Sequence, residues 1–166
     1  MIHPLVIWPD ARLAQTCAPV TSFDSALEAL AEDLLETMYD APGRGLAAPQ
    51  IGVLQRIFVM DPGWKDGASE PLVCVNPDIV DQSADQVTSH EGCLSIPGLS
   101  VEVTRSEEIT LRWWDLDGAM HQARLSGFAA LCAQHELDHL DGTVTLDRVT
   151  PEARAAYIAS YSGGAA

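Results

Sequence analysis

The sequence predicts an α+β fold in which short antiparallel strands pack around a central helix. Two segments, residues 23–38 and 128–139, carry apolar residues at helical spacing. Residues 100–104 and 108–115 alternate apolar and polar side chains, as half-buried strands do. With 166 residues and no linker-like stretch, the chain is expected to form a single domain over residues 1–166.

Composition argues against one class of partner. Hydrophobic residues make up 47% of the chain and charged residues 20%, which is typical of a soluble globular protein. The net charge of −15 comes from 24 acidic and 9 basic side chains. Because contacts to a phosphate backbone need clustered lysine and arginine, we do not expect the chain to bind DNA.

The sequence favours a cytoplasmic location and no membrane partner. The N-terminal residues do not form a secretory signal, and no apolar run approaches the roughly 20 residues needed to cross a bilayer. The four cysteines contain no C-x-x-C pair, so we expect thiols and no disulfides: Cys17, Cys74, Cys93 and Cys132.

The first predicted element is an amphipathic helix over residues 23–38. Its apolar residues share one face, and acidic residues occupy most of the other. Either Ser22 or Ser25 could cap its start, and Pro42-Gly43 ends it.

The later elements follow from periodicity and turn residues. Asp117-Gly118 is a hairpin turn signal, and Asp141-Gly142 closes the helix that contains residues 128–139. Residues 78–90 are polar and indicate no clear element. The remaining predictions are strands at residues 56–61, 71–76, 100–104, 108–115 and 119–125, a strand-like segment at Thr143–Leu146, a helix from about Pro151 to Tyr161, and a frayed Gly-Gly-Ala-Ala tail.

The central helix carries an H-E-x-x-H motif from His135 to His139. Positions i and i+4 lie one turn apart on the same face, so the two imidazoles can bind one metal ion. The histidines continue an apolar stripe, which directs them toward the core, where hydrogen-bonded core histidines are the alternative interpretation. Glu136 lies beside the first histidine, where a carboxylate can act as general base on a metal-activated water.

A catalytic site of this kind usually has a third protein ligand. No histidine follows His139, and the downstream acids have no supporting pattern: Asp141, Asp147 and Glu152. Cys93 is the better candidate, because it follows a glycine in a loop where a thiolate can reach a metal. The alternative role of a small buried hydrophobic residue suits Cys17 and Cys74 better.

A segment of small residues runs from Gly43 to Gln50, with the sequence G-R-G-L-A-A-P-Q. Its glycines allow the backbone to approach a neighbour closely. It lacks the Lys-Ser/Thr ending of a phosphate-binding loop. Its distinctive feature is the polar amide of Gln50 directly after a tight apolar loop.

Three motifs together resemble those of the peptide deformylase family, in the family's order and spacing. They are Gly43-x-Gly45-Leu46-Ala47-Ala48-Pro49-Gln50, Glu91-Gly92-Cys93-Leu94-Ser95 and Gln134-His135-Glu136-Leu137-Asp138-His139. The resemblance extends over nearly the whole chain, to about residue 150. It implies a peptide-deformylase-like fold and a hydrolase that removes the N-formyl group from the N-terminal methionine of nascent polypeptides, releasing formate.

The resemblance also implies a metal site. Cys93, His135 and His139 would bind one divalent ion per chain, typically Fe²⁺, with Zn²⁺, Ni²⁺ or Co²⁺ also accepted. An ion pair between Glu91 and Arg105 would hold the loop that carries the cysteine.

The same resemblance implies the catalytic groups. Glu136 would take a proton from the attacking water, while the Gln50 side-chain amide and the Leu94 backbone N–H would stabilise the oxyanion. Gly45 would let its loop come close to the bound peptide, and Asp138 would orient its surroundings.

The implied substrate pocket departs from the family at two positions. Phe128, Leu131 and Cys132 supply apolar walls, but Arg44 and Ser89 stand where the family has apolar residues. The Arg44 guanidinium can turn outward and leave the pocket intact, or it can narrow the pocket or favour a more polar substrate.

The expected partner is an N-formylmethionyl peptide, and contact with the ribosome is possible. Some family members carry a basic C-terminal helix suited to ribosomal RNA. Here Arg154 is the only basic residue after residue 150, and Glu152 offsets it, so that route is not expected.

Two alternative functions remain open from the sequence alone. Arg44 and Ser89 are consistent with a deformylase-like amidase that acts on a different formylated or acylated amine. The other alternative is a non-catalytic, metal-stabilised binding protein, which the presence of Glu136 and Gln50 disfavours because structure alone requires neither.

Overall fold

The computed structural model describes residues 1–161, so the predicted Gly-Gly-Ala-Ala tail lies outside the described residues. The helices are α1 (Ser25–Asp40), α2 (Gly127–Leu140) and α3 (Pro151–Ser160). The strands are β1 (Gly45–Ala47), β2 (Ile57–Met60), β3 (Leu72–Gln82), β4 (Gln86–Cys93), β5 (Ile96–Ser106), β6 (Glu108–Trp114) and β7 (Met120–Ser126). Short 3-10 turns lie at Ala11–Ala14, Ala48–Ile51 and Thr145–Arg148. The predicted α+β class is confirmed.

Helix α2 is the central element of this fold, as predicted. Five antiparallel strands form one sheet in the order β1-β2-β3-β6-β7, and β4 and β5 form a separate hairpin. α2 contacts β1, β2, β6 and β7 of the larger sheet and also β5 of the hairpin. The H-E-x-x-H motif therefore lies where both sheets meet the helix. No helix within residues 1–161 is both long and apolar enough to cross a membrane.

Helix α1 packs its apolar face against β1 and β2. The buried side chains of Leu27, Ala31, Leu34 and Met38 follow the predicted helical spacing. The predicted serine caps are wrong. Asp24 is the N-cap, and its carboxylate accepts a hydrogen bond from the Leu27 N–H at 3.1 Å, an arrangement that also suits the positive end of the helix dipole.

Most of residues 78–90 belong to β3 and β4, although the sequence favours no element there. Their side chains are largely exposed, so no apolar stripe marks the strands. β3 continues past Asn76, which has a φ of 48°, through an irregularity in its pairing with β6. The Asn76 side chain holds this kink by bonding the N–H and C=O of Val20 at 2.8 and 3.0 Å.

The predicted β6–β7 hairpin is confirmed, with Trp114 opposite Met120. The predicted strand-like segment Thr143–Leu146 is wrong, because the chain turns there instead. The Asp147 carboxylate accepts a hydrogen bond from the Val144 N–H at 2.9 Å, and the Asp147 N–H donates to the Val144 carbonyl at 2.9 Å. These local bonds favour a 3-10 turn over a strand.

Replacing Leu34 by alanine should lower the free energy of unfolding by about 2–5 kcal/mol, because its side chain is fully buried between α1 and the sheet. Leu35→Ala, on the half-buried face of the same helix, is the matched control and should cost clearly less. Guanidinium unfolding of both variants measures the difference. Equal losses would contradict the packing described for α1.

Candidate metal centre

Three side chains from two elements bring their donor atoms together. Cys93 ends β4, while His135 and His139 lie one turn apart on α2 with ring centroids 5.0 Å apart. Their ligand atoms all lie within 4.8 Å of one another, and Cys93 Sγ is 3.4 Å from His139 Nε2. Within residues 1–161 this is the one group of three His, Cys, Asp or Glu side chains that could hold a metal ion.

The donor set fits a divalent first-row metal ion. A thiolate with two imidazoles suits zinc, iron and their neighbours in the series. His135 Nδ1 lies 2.9 Å from Glu91 Oε1, so Nε2 remains for a metal. This contact with a carboxylate is the usual way in which a ligating histidine is oriented.

His135 contacts a buried ion-pair network through Glu91. Arg105 donates from Nε to Glu91 Oε2 at 2.6 Å and from Nη2 to Glu91 Oε1 at 2.9 Å, which confirms the expected ion pair. Arg105 Nη1 also donates to Asp138 Oδ2 at 2.9 Å. Burial alone raises the pKa of the Glu91 carboxyl, but hydrogen bonds from His135 and Arg105 outweigh burial and lower that pKa to about 2. Glu91 is therefore an anion that orients the imidazole.

Glu136 is buried next to this cluster, and the pKa of its carboxyl is raised. It is 4% exposed, and burial raises the pKa of its carboxyl to about 7. Oε2 has no hydrogen-bond partner among the described residues. Its other oxygen lies against Gly45, where an added Cβ would come within 2.6 Å of Glu136 Oε1 and 2.9 Å of Cys132 Sγ. A carboxylate with this pKa can accept and return a proton near neutral pH.

Gln50 presents its amide N–H group to the ligand cluster. Gln50 is buried, and its Oε1 accepts a hydrogen bond from the Ala47 N–H at 3.0 Å. That bond fixes the amide orientation, so Nε2 faces Ser95 Oγ at 3.1 Å and Cys93 Sγ at 3.7 Å. An N–H donor is therefore held next to the predicted metal ligand.

Leu94 lies in the two-residue turn that joins β4 to β5, directly after Cys93. Among the described residues, its backbone N–H donates to no other backbone group. The structure thus places both predicted oxyanion donors, Gln50 and Leu94, next to Cys93.

A cavity of about 780 Å³ opens onto this cluster. All the predicted pocket residues line it: Arg44, Gly45, Ser89, Phe128, Leu131 and Cys132. Of these residues, Phe128 is 52% exposed, so its ring lines the cavity at the rim. It is near the start of α2, one turn before the buried Cys132.

Arg44 directs its guanidinium away from the ligands. Nη1 donates to the Pro62 carbonyl and to Asp66 Oδ2, the latter at 3.0 Å. The guanidinium carbon lies 5.4 Å from the centroid of the Phe128 ring, within cation–π range. Of the alternatives open from sequence, the outward orientation is therefore the one observed.

Taken together, these groups can activate a water molecule, move its proton and stabilise an oxyanion. That combination is suited to amide hydrolysis. The family model for polypeptide deformylase matches residues 2–155 of the chain. The chain belongs to the peptide deformylase family.

Individual deformylases agree with this assignment. The chain is 48% identical to the peptide deformylase of Alkalilimnicola ehrlichii over 146 residues, which covers 88% of this chain and 81% of that protein. It is 42% identical over 164 residues to the peptide deformylase of Rhizobium meliloti, covering 99% and 94% of the two chains. The crystal structure of a peptide deformylase from Legionella pneumophila gives a TM-score of 0.90 at 39% identity, over 97% of this chain and 94% of that one.

The predicted family, fold and enzyme class are thus confirmed. The chain is a metal-dependent hydrolase of the deformylase type, which removes the N-formyl group from nascent polypeptides. The amidase and the non-catalytic alternatives gain no support from these relatives.

Four contacts around the site were not predicted from the sequence. Ser95, the partner of the Gln50 amide, lies within a recognised motif, so its position was a usable signal. The bond between Glu91 and His135 likewise joins residues of two recognised motifs. The partners of Asp138 had no such signal. They are Arg105 and Arg148, and Arg148 donates from Nε to Oδ2 at 2.9 Å and from Nη2 to Oδ1 at 2.6 Å.

Gly45→Ala should lower formate release by about ten-fold or more, because the new methyl group would displace the Glu136 carboxylate and small misplacements of a catalytic group are costly. Metal content should stay unchanged, since no proposed ligand is touched. Gly63→Ala, where an added Cβ meets nothing within 4 Å, is the control. Full activity of the Gly45 variant would show that Glu136 does not depend on this contact.

Proposed function

We propose that Cys93, His135 and His139 bind one divalent metal ion, and that the chain uses it to hydrolyse the formamide of N-formylmethionyl peptides. The observation that carries this proposal is the placement of two different catalytic groups around the ligands. Glu136 follows His135 directly, and the Gln50 amide nitrogen is 3.7 Å from Cys93 Sγ. A site that only stabilised the fold would need neither group.

Fe²⁺ is the ion we propose, in line with the family, and Zn²⁺, Ni²⁺ or Co²⁺ also suit a Cys-His-His set. A thiolate and two neutral imidazoles leave one net positive charge on a divalent ion. Such an ion supplies a Lewis acid that lowers the pKa of a coordinated water molecule toward neutral pH.

Glu136 has the proton-transfer role in this proposal. It takes a proton from the attacking water and later delivers it to the amine that leaves. Burial, which raises the pKa of this carboxyl to about 7, suits both steps because the group can exist in either form at neutral pH.

Gln50 and Leu94 stabilise the tetrahedral oxyanion. The Ala47 N–H holds the Gln50 carbonyl oxygen, so the amide N–H group is already oriented before substrate binds. The Leu94 backbone N–H adds a second donor from the β4–β5 turn. Donors fixed in advance need little reorganisation as negative charge develops.

The pocket accepts the methionine side chain against Leu131 and Cys132, with Ser89 on β4 also lining it. Arg44 contributes its aliphatic stem, because its charged end is bound by Pro62 and Asp66 outside the pocket. The absent side chain at Gly45 leaves room for the Glu136 carboxylate and the Cys132 thiol at the inner end of the pocket.

We further propose that the chain acts as one domain in the cytoplasm, on nascent peptides. α3 carries Arg154 and Glu152 as its charged residues, so it provides no basic face for ribosomal RNA. Any ribosome contact would use another surface.

The direct test is formate release from formyl-Met peptides by protein prepared without oxygen and loaded with Fe²⁺. Activity should disappear after chelation and return when Fe²⁺, Ni²⁺ or Co²⁺ is added back. Formate release that survives complete metal removal would overturn the proposal, and so would an absence of formate release from the loaded protein.

Glu136→Ala should bind one metal ion per chain yet lose about 10²–10⁴-fold in kcat, the usual contribution of a positioned general base. Metal content and formate release measured on the same sample separate the two effects. A fully active variant would remove Glu136 from the proton-transfer role.

Arg44→Leu should change kcat/KM for formyl-Met peptides by less than about 3-fold, because the guanidinium faces away from the pocket. Leu131→Ser, which removes apolar wall, should lower kcat/KM by about ten-fold or more. A new preference of the Arg44 variant for other first residues would show that the guanidinium contacts the substrate.

A further inference from the structure

The contacts behind His135 continue beyond Arg105 to a second arginine. His135 Nδ1 contacts Glu91, Glu91 pairs with Arg105, and Arg105 Nη1 donates to Asp138. Asp138 then accepts two hydrogen bonds from Arg148, at 2.9 and 2.6 Å. The chain of polar contacts thus runs from a proposed metal ligand to the end of the turn Thr145–Arg148.

Arg148 balances the charge of this buried network. The side chains of Glu91, Arg105 and Asp138 are 10%, 4% and 11% exposed. These two carboxylates and one guanidinium carry a net charge of −1, and Arg148 brings the group to neutrality. Removing one partner from a buried ion network leaves a charge uncompensated.

Arg105 connects this charge imbalance to His135, because it bonds both Asp138 and the carboxylate that orients His135. Arg105 divides its donors between the two carboxylates, with Nε and Nη2 on Glu91 and Nη1 on Asp138. Without Arg148, Arg105 would be the remaining cationic partner of Asp138 among the described residues, and Asp138 would compete more strongly with Glu91 for its donors. Glu91 is the group that orients the imidazole.

We propose that Arg148 is a positioning residue for the metal centre, acting through Asp138, Arg105 and Glu91 on the orientation of His135. The inference rests on the proposed role of His135 as a metal ligand. Arg148 touches neither the ligands nor the substrate cavity, so its effect is on how firmly His135 is held.

A purely structural role is the competing explanation, and the chain offers a matched control. The Arg124 side chain is also 47% exposed and makes ion pairs with Asp81 and Glu108, whereas Arg148 makes both of its contacts with the single carboxylate of Asp138. The partners of Arg124 lie on β3 and β6, and no chain of ion pairs within residues 1–161 connects them to a proposed ligand. Asp81 and Glu108 are 68% and 45% exposed and Asp138 is 11% exposed, so stability alone does not separate the two explanations, and the test relies on Co²⁺ affinity, the cobalt spectrum and the kcat and KM values.

The test compares Arg148→Ala, Arg148→Lys and Arg124→Ala with the unaltered chain. Co²⁺ affinity by chelator competition, the visible spectrum of the cobalt form and the separate kcat and KM values are measured at one pH. Arg148→Ala should weaken Co²⁺ binding by about 3–10-fold, below the 10–100-fold typical of a direct partner of a ligand, and should shift the cobalt spectrum. kcat should fall more than KM rises.

Arg148→Lys should retain more Co²⁺ affinity and kcat than Arg148→Ala, because an ammonium keeps the positive charge. It should not reach the values of the unaltered chain, because an ammonium cannot make both parallel contacts with Asp138. It also keeps the test decisive if the alanine variant folds poorly. Arg124→Ala should leave Co²⁺ affinity, spectrum and kcat unchanged.

Unchanged Co²⁺ affinity and spectrum in both Arg148 variants, with the unaltered chain active, would overturn this inference alone. An unaltered chain that releases no formate from formyl-Met peptides when loaded with metal would instead overturn the proposed function.

Discussion

The buried guanidinium of Arg105 joins the three elements that carry and position the proposed metal ligands. Arg105 lies on β5, Glu91 on β4 and Asp138 on α2, and all three side chains are at most 11% exposed. A buried cation is tolerated only where anions match it closely, so this contact fixes the hairpin against the helix. Cys93 ends the strand that carries Glu91, and both histidines share the helix with Asp138. The ion network therefore fixes Cys93 relative to His135 and His139, the proposed ligands, which come from different parts of the chain.

The positions of Gln50 and Glu136 are fixed by the backbone and not by ion pairs. The Ala47 N–H holds the oxygen end of the Gln50 amide, and the missing side chain at Gly45 makes space for the Glu136 carboxylate. Gly45 and Gln50 both belong to the segment Gly43–Gln50. This segment contains β1, which packs beside α2. Small residues are needed there because the reacting groups lie directly against the main chain.

The sequence predicts the contacts whose two partners lie within one element, one hairpin or one motif. His135 and His139 share a helix face through the 3.6-residue period, and the β6–β7 hairpin follows from alternation and Asp117-Gly118. The sequence does not predict elements and contacts that depend on pairing between distant segments. The exposed strands around residues 78–90 lack an apolar stripe, and Asp138 finds Arg105 across 33 positions, a pairing that only the folded chain creates.

The two walls of the cavity differ in how freely they can change. The inner wall, at Gly45 and Gln50, is main chain and buried amide, and any added atom there meets Glu136 or breaks the bond to Ala47. At the rim, the side chains of Arg44 and Phe128 reach solvent. Substitutions at the rim can therefore accumulate without moving Gly45, Gln50 or Glu136, and resistance to a cavity-filling inhibitor has more room to arise at the rim than at the centre.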